Sequence, residues 1–150
     1  MDKIRVSFDF DGTLGILNMQ EFAKTLIDQG IEVHITTSRF DSIDKYTDEF
    51  CELYFIEDIK KEHDYLFEVA DKLGISRDNI HFTNMTDKVN FFNKYSKEFI
   101  WHLDDDEVEI DLLKDCKFTR GIWYSYKNTN WKQQCKELIS TYKFNSVNNN

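Results

Sequence analysis

The chain has 150 residues, the size of one ordinary domain, and a chain of that length buries about two thirds of its unfolded surface. Hydrophobic residues make up 41% of it, with 13 Phe, 7 Tyr and 3 Trp, so a core forms without crosslinks. Asp and Glu (28) outnumber Lys and Arg (19), and the formal charge of −9 argues against non-specific binding to nucleic acid or anionic membranes. An anionic substrate stays open, because a divalent cation at clustered carboxylates reverses the local field.

Cys51, Cys116 and Cys135 are widely spaced without a C-x-x-C pair and read as reduced thiols. M-D-K-I-R leads directly into a strand-like run, without the apolar stretch of a signal peptide. No segment approaches the ~18 to 20 apolar residues that cross a bilayer. The expectation is a cytoplasmic protein with no membrane partner.

Short apolar runs alternate with amphipathic helical patterns, the signature of βαβ units around a parallel sheet. Ile4 to Phe8 reads as the first strand. Asn18, with Glu21 three residues on, predicts a capped helix whose buried face is Phe22, Ala23, Leu26 and Ile27 and whose end is Gly30. Ile31 to Thr36 is the second strand. Residues 40 to 60 mix aromatic residues with carboxylates and read as a helix plus an irregular return. Leu66, Val69, Ala70 and Leu73 share one helical face, stopped at Gly74. Ile80 to Thr83 is the third strand, and Thr86 is placed to cap a helix to about Tyr95. Phe99 to Leu103 and Phe118 to Tyr124 are the fourth and fifth strands. A last helix carries Trp131, Cys135, Leu138, Ile139 and Tyr142. The domain is expected over 1–145, with a fraying tail over 146–150. Ser7, His34, His81 and His102 interrupt the strands more than buried parallel strands usually allow. The histidines lack paired ligand spacing and are expected to be buried and hydrogen-bonded.

The strongest chemical signal is V-S-F-D-F-D-G-T-L, Val6 to Leu14. Asp9 and Asp11 stand two residues apart where a strand gives way to a glycine turn, the edge at which open α/β sheets bind ligands. Their α-carbons lie roughly 7 Å apart in an extended chain, so both carboxylates can flank one metal and one phosphorus. Gly12 lets the backbone approach the ligand and turn an N–H toward an oxyanion. An ordinary D-G turn explains Asp11 and Gly12 but not Asp9. A calcium loop would need a Gly where Leu14 stands and a Glu where Gln20 stands.

Asp9-Phe10-Asp11-Gly12-Thr13 resembles the first motif of the haloacid dehalogenase (HAD) superfamily, and later motifs follow in that family's order. I-T-T-S-R resembles the second motif, with Thr37 aligned and Thr36 and Ser38 as alternative registers. Lys88 resembles the third-motif lysine, and Asp104-Asp105 the acidic fourth motif. The resemblance covers residues 4 to 106. It implies a three-layer, Rossmann-like α/β domain with a mostly parallel five-stranded sheet in the order 3-2-1-4-5. No insertion is long enough for a full cap domain.

The same resemblance implies a phosphatase. Family dehalogenases lack an acid at the Asp11 position, whereas family phosphatases carry one. Asp9 would be the nucleophile and Asp11 the acid and base. Gly12, Thr37, Ser38 and Lys88 would bind phosphate, and Asp9, Asp11 (through its carbonyl), Asp104 and Asp105 would hold Mg²⁺. Lys88 in the first turn of a helix opposes the macrodipole, a penalty that a bound anion would remove. Arg39 either reaches substrate beyond its phosphate or forms a surface ion pair. Asp106 and Glu109 read as a solvated acidic turn. The T-S-R turn is similar to those of nucleotide and polynucleotide-end phosphatases, so a nucleotide or nucleic-acid end leads. A sugar phosphate, a phosphoprotein, or a non-catalytic module binding a phosphorylated ligand are the alternatives. The capless form leaves room for a homo-oligomer.

Overall fold

The computed structural model describes residues 3–148. Five strands, β1 (Arg5–Phe8), β2 (Glu32–Thr37), β3 (Ile80–Phe82), β4 (Trp101–Asp104) and β5 (Arg120–Trp123), form one sheet in the order β3-β2-β1-β4-β5. Every neighbouring pair is parallel, so the expected sheet is realised and the first strand lies at its centre. The helices are α1 (Leu17–Asp28), α2 (Asp48–Leu53), α3 (Ile59–Leu73), α4 (Lys88–Lys94), α5 (Glu107–Leu112) and α6 (Trp131–Asn148). Right-handed crossovers in this strand order send α1 and α3 to one face and α4 and α5 to the other. Among the described residues, no helix is long and apolar enough to cross a membrane.

The two faces differ chemically because side chains alternate along each strand. On one face Val6, Phe8, Val33, Ile35, Trp101, Leu103 and Ile122 join the main core with residues of α1, α3 and α6. Phe8 meets Phe22 and Trp101 edge-to-face at 6.0 and 5.4 Å, and the Trp101 indole donates to the Cys135 carbonyl, tying α6 to β4. The other face carries Ser7, His34, Thr36, His81 and His102, all on the side of α4 and α5. The apolar cluster there is smaller, built around Phe92, Phe99 and Leu113. Polar residues survive in the sheet because they satisfy one another. Ser7 hydrogen-bonds Thr36 at 2.8 Å and His102 at 2.9 Å. His34 contacts Glu32 at 2.8 Å and His81 at 2.9 Å. His34 and His102 are buried and hydrogen-bonded as expected, whereas His81 is hydrogen-bonded but only half-buried.

Several local expectations are corrected. Helix α1 begins at Leu17 with no side-chain cap, so Asn18 lies inside its first turn. The turn after Asp9 feeds directly into the helix, and the Ile16 carbonyl already accepts from Met19 and Gln20 N–H. Thr86 does not cap α4 either. Its hydroxyl donates to the Thr83 carbonyl, and Asp87 takes the cap position without a side-chain bond. The acidic turn after β4 is the helix α5, with the Asp106 side chain accepting from Val108 N–H. Carboxylates at a helix N-terminus are favoured by the macrodipole, which makes this acidic run a helix start. Helix α6 continues through Ser146 to Asn148; the remaining residues of the expected tail, 149–150, lie outside the described range. Residues 40 to 58 hold a short helical turn at Ile43–Lys45 and α2, around Phe40, Tyr46, Phe50 and Tyr54.

The histidine pair gives a pH dependence with a definite sign. His34 Nε2–H donates to the Glu32 carboxylate, so its Nδ1 accepts from His81 Nε2–H. Burial, and then the neighbouring His34, pull the His81 pKa from 6.5 down to about 4. The unfolded chain therefore takes the proton first. The stability carried by neutral His81 is complete above pH 6.5 and is lost as the pH falls toward 4. Thermal melts of His81→Gln, which keeps an N–H donor, should show a shallower loss of Tm over that window than the unaltered protein. Equal slopes would place the acid sensitivity elsewhere.

Candidate active site

The site is built where β1 and β4 end side by side. Their register pairs Phe8 with Leu103, so the next residues, Asp9 and Asp104, are neighbours, and Asp9 N–H donates to the Leu103 carbonyl. After Asp9 the chain makes a type II turn, with Asp11 at φ −66°, ψ 123° and Gly12 at φ 74°, ψ 1°. The second centre of such a turn needs a positive φ, hence Gly. A Cβ at Gly12 would also run into the Asp105 carboxylate and force it to swing aside. Leu14 and Gly15 N–H donate back to the Asp9 and Phe10 carbonyls and close the turn.

Lys88, the first residue of α4, is 2% exposed, and its ammonium donates to Asp9 Oδ1 at 2.7 Å and Asp104 Oδ2 at 2.6 Å. Asp104 also accepts from the Asp106 N–H at 3.0 Å and contacts His102 Nε2 at 2.8 Å. A carboxylate only accepts, so His102 carries its proton on Nε2 and its Nδ1 accepts from Ser7. Asp105 packs on Gly12, and the Thr13 hydroxyl lies 3.3 Å from Asp9 Oδ2 and 3.4 Å from Asp105 Oδ1. One carboxylate oxygen from each of Asp9, Asp104 and Asp105 lies within 4.8 Å of the others.

The charges around Lys88 do not balance. With all three carboxylates ionised, one ammonium against them leaves a formal net −2. Burial, and also the Asp104 charge, push the Asp9 pKa well above its ordinary value, against the pull of Lys88. Burial likewise raises Asp105. Burial opposes Asp104 too, but the His102 hydrogen bond and Lys88 outweigh it and hold Asp104 well below the usual carboxylate range. Lys88 is raised despite burial, by Asp9 and then Asp104. A divalent cation would supply the missing charge, and an all-oxygen donor set would suit Mg²⁺. The residues present fit that ion.

The other expected residues are placed as follows. Asp11 turns its carboxylate away from Asp9 to Arg39, which donates from Nε at 2.8 Å and Nη2 at 2.6 Å. Arg39 is buried, lies over the Phe10 ring at 5.0 Å, and donates to the Glu62 carbonyl; its ion pair joins a buried guanidinium to an exposed carboxylate at the surface. Thr37 is buried at the end of β2, and its hydroxyl accepts from the Arg39 N–H at 3.3 Å, which leaves its own hydrogen to donate. The Thr36 hydroxyl is engaged by Ser7 within the sheet. Ser38 is half-buried, and its carbonyl accepts from Met85 N–H.

Glu109 corrects the reading of a solvated turn. It is buried, and its Oε2 accepts from Lys88 N–H at 3.0 Å. The N-terminus of α4 thus already has an anion, so the macrodipole alone gives no reason for a phosphate there. Sequence reading also missed Thr13, His102 and Ser7 as supports of the carboxylates. The only signal available was polar residues on one face of otherwise apolar strands.

No protein-family model matches the chain, and no curated protein matches it in sequence. The functional reading therefore rests on these residues.

Removing the ammonium tests how far the cluster depends on it. Lys88→Met keeps the volume but leaves Asp9 and Asp104 buried without a cation, which should cost about 3 kcal/mol of stability. Urea unfolding with chelator present measures it. A loss under about 0.5 kcal/mol, the range of ordinary surface changes, would show the pairing to be dispensable.

Proposed function

We propose that the chain is a Mg²⁺-dependent phosphomonoester hydrolase of the HAD type, acting through an aspartyl-phosphate on Asp9. The observation that carries this reading is the Asp9–Lys88–Asp104 cluster beside Asp105, at the carboxyl edge of the central strand and two positive charges short of neutral. Phosphate monoesters hydrolyse so slowly unaided that accelerations approach ~10²¹, and stabilising the phosphoryl charge has to supply much of that.

Asp9, Asp104, Asp105 and the Asp11 carbonyl would hold Mg²⁺, which when bound would neutralise phosphoryl oxygens. Lys88, the Thr37 hydroxyl, Ser38 and the Gly12 N–H would bind the phosphate. The Asp9 carboxylate attacks phosphorus, and the bond to the leaving oxygen breaks as Asp11 gives that oxygen a proton. The Asp11 carboxylate then takes a proton from water. The water oxygen attacks phosphorus, the bond to Asp9 breaks, and inorganic phosphate leaves with Asp9 restored. Both Asp11 oxygens accept from Arg39, so the acid step requires the side chain to leave that clamp and turn toward the leaving oxygen. Its side chain is 60% exposed and has room to rotate. Thr13 and the Ser7–His102 pair are positioning residues, holding Asp9, Asp105 and Asp104 in place.

Turnover of an aryl phosphate by the full chain with Mg²⁺ tests this. Asp9→Asn should lower kcat by about 10⁶-fold, the scale for removing a nucleophile, and a chelator should abolish turnover. Unchanged turnover in that variant would end the nucleophile assignment. Mg²⁺ should also raise Tm, and Asp105→Asn should remove that rise without activity entering the measurement. A Tm indifferent to Mg²⁺ would remove the metal from the reading.

A further inference from the structure

Two clefts flank the Asp9 turn. One, of about 660 Å³, opens on the Asp105 side toward Tyr124, Tyr126 and Trp131. The other, of about 760 Å³, opens on the Asp11 side between the start of α1, Arg39 and the α2–α3 loop. In the proposed reaction Asp11 protonates the leaving oxygen, so the second cleft is where the rest of the substrate lies.

Its walls specify a chemistry. Phe10 and Tyr65 make a fixed aromatic side, edge-to-face at 5.7 Å, with the Tyr65 hydroxyl donating to the Gly15 carbonyl. Phe55 lines the opposite lip and is 91% exposed. Its backbone is left-handed, φ 57°. Phe55 N–H donates to the Glu52 carbonyl and Ile56 N–H to the Cys51 carbonyl, the bonds of a Schellman cap at the end of α2. Gly is the favoured residue at that position, and a bulky side chain there is strained. Neither the backbone nor the core accounts for a phenylalanine, because its ring is in solvent. A flat ring stacking on it would. The charges point the same way. Asp11, Glu57, Asp58 and Glu62 face only Arg39 and Lys61. Arg39 is taken by Asp11, and the Asp58 carboxylate caps Lys61 N–H. The exposed acids favour N–H donors and repel further phosphate groups.

We infer that this cleft takes the base of a nucleoside monophosphate, a flat, uncharged ring bearing amino groups, and turns away polyphosphorylated nucleotides and polynucleotide ends. The inference rests on the phosphatase reading for the placement of the phosphate. Phe55 stacks the base, and Glu57 and Glu62 accept from its amino groups while opposing a second phosphate.

Calorimetric binding to the Asp9→Asn chain, with Mg²⁺, uses adenosine 5′-monophosphate, adenosine 3′,5′-bisphosphate and a 3′-phosphorylated oligonucleotide as probes. The monophosphate should bind at least tenfold tighter than either of the others. Phe55→Gly should weaken it about tenfold, the scale of one base–aromatic stack, while Tm holds or rises because Gly suits the cap. Tyr126→Ala, in the other cleft, should leave affinity unchanged. Glu57→Lys with Glu62→Lys should narrow the gap to the bisphosphate. Loss of affinity in Tyr126→Ala but not in Phe55→Gly, or tighter binding of the oligonucleotide, would overturn the inference. Turnover of glycerol phosphate by the unaltered chain separates the two ideas. Turnover without discrimination among the probes leaves the phosphatase and removes the cleft assignment. Phe55-dependent monophosphate binding without turnover of any monoester removes the phosphatase and keeps the cleft.

Discussion

The molecule is organised around one ammonium group held between two carboxylates inside it. Lys88 reaches Asp9 at the end of β1 and Asp104 at the end of β4, so the two central strands and the start of α4 are fixed by a single side chain. Placing an ion pair at this depth is costly and returns energy only where geometry is tight and the remaining polar atoms are satisfied. Here they are, by His102, the Asp106 N–H and Thr13. The same group sets the charge count at the site. One lysine among three carboxylates leaves a deficit that suits a divalent cation, and this is what the proposed phosphoryl chemistry would use.

The polar face of the sheet follows from that requirement. A run of hydrogen-bonded side chains leads from Thr36 through Ser7 and His102 to Asp104, buried throughout. No buried side-chain nitrogen or oxygen among the described residues lacks a partner. A hydrophobic layer would bury more apolar area, yet would remove the His102 contact and leave Asp104 held by Lys88 and the Asp106 N–H alone. Hydrogen-bonded support of this kind is how proteins hold reactive carboxylates in a fixed orientation.

Much of this was legible in the sequence because strand and helix faces announce themselves by period. The five strands and the buried faces of α1 and α3 came from apolar spacing, whereas the order of the strands came from the family resemblance of the motifs. The nearness of Asp9, Lys88, Asp104 and Asp105 was implied by the resemblance of their motifs, taken in order, to those of a known superfamily. Local capping was read less well. Asn18 and Thr86 have the chemistry of caps, but the Asp9 turn and the Thr83–Thr86 exchange settle those helix starts by tertiary geometry. Helix α5 was hidden because D-D-D-E-V-E has the composition of a solvated turn, and its N-terminal position, which makes acids favourable, becomes evident only once β4 is seen to end at Asp104. Arg39 was ambiguous for a similar reason. Its burial depends on α3, whose docking is not encoded near residue 39.

The unequal faces of the sheet bear on how the molecule opens. One face is sealed by a large continuous core beneath α1, α3 and α6, the other by a small aromatic cluster over a layer of hydrogen bonds. Amide hydrogen exchange follows such differences, since segments detach at free energies set by the apolar contacts they bury. The α4–α5 layer is the part able to lift away while β1, β2 and the opposite helices stay protected. Because Lys88 travels with α4, such an excursion would unpin Asp9 and Asp104 together, so the layer with the smaller apolar cluster is also the one that carries the cation holding the two carboxylates.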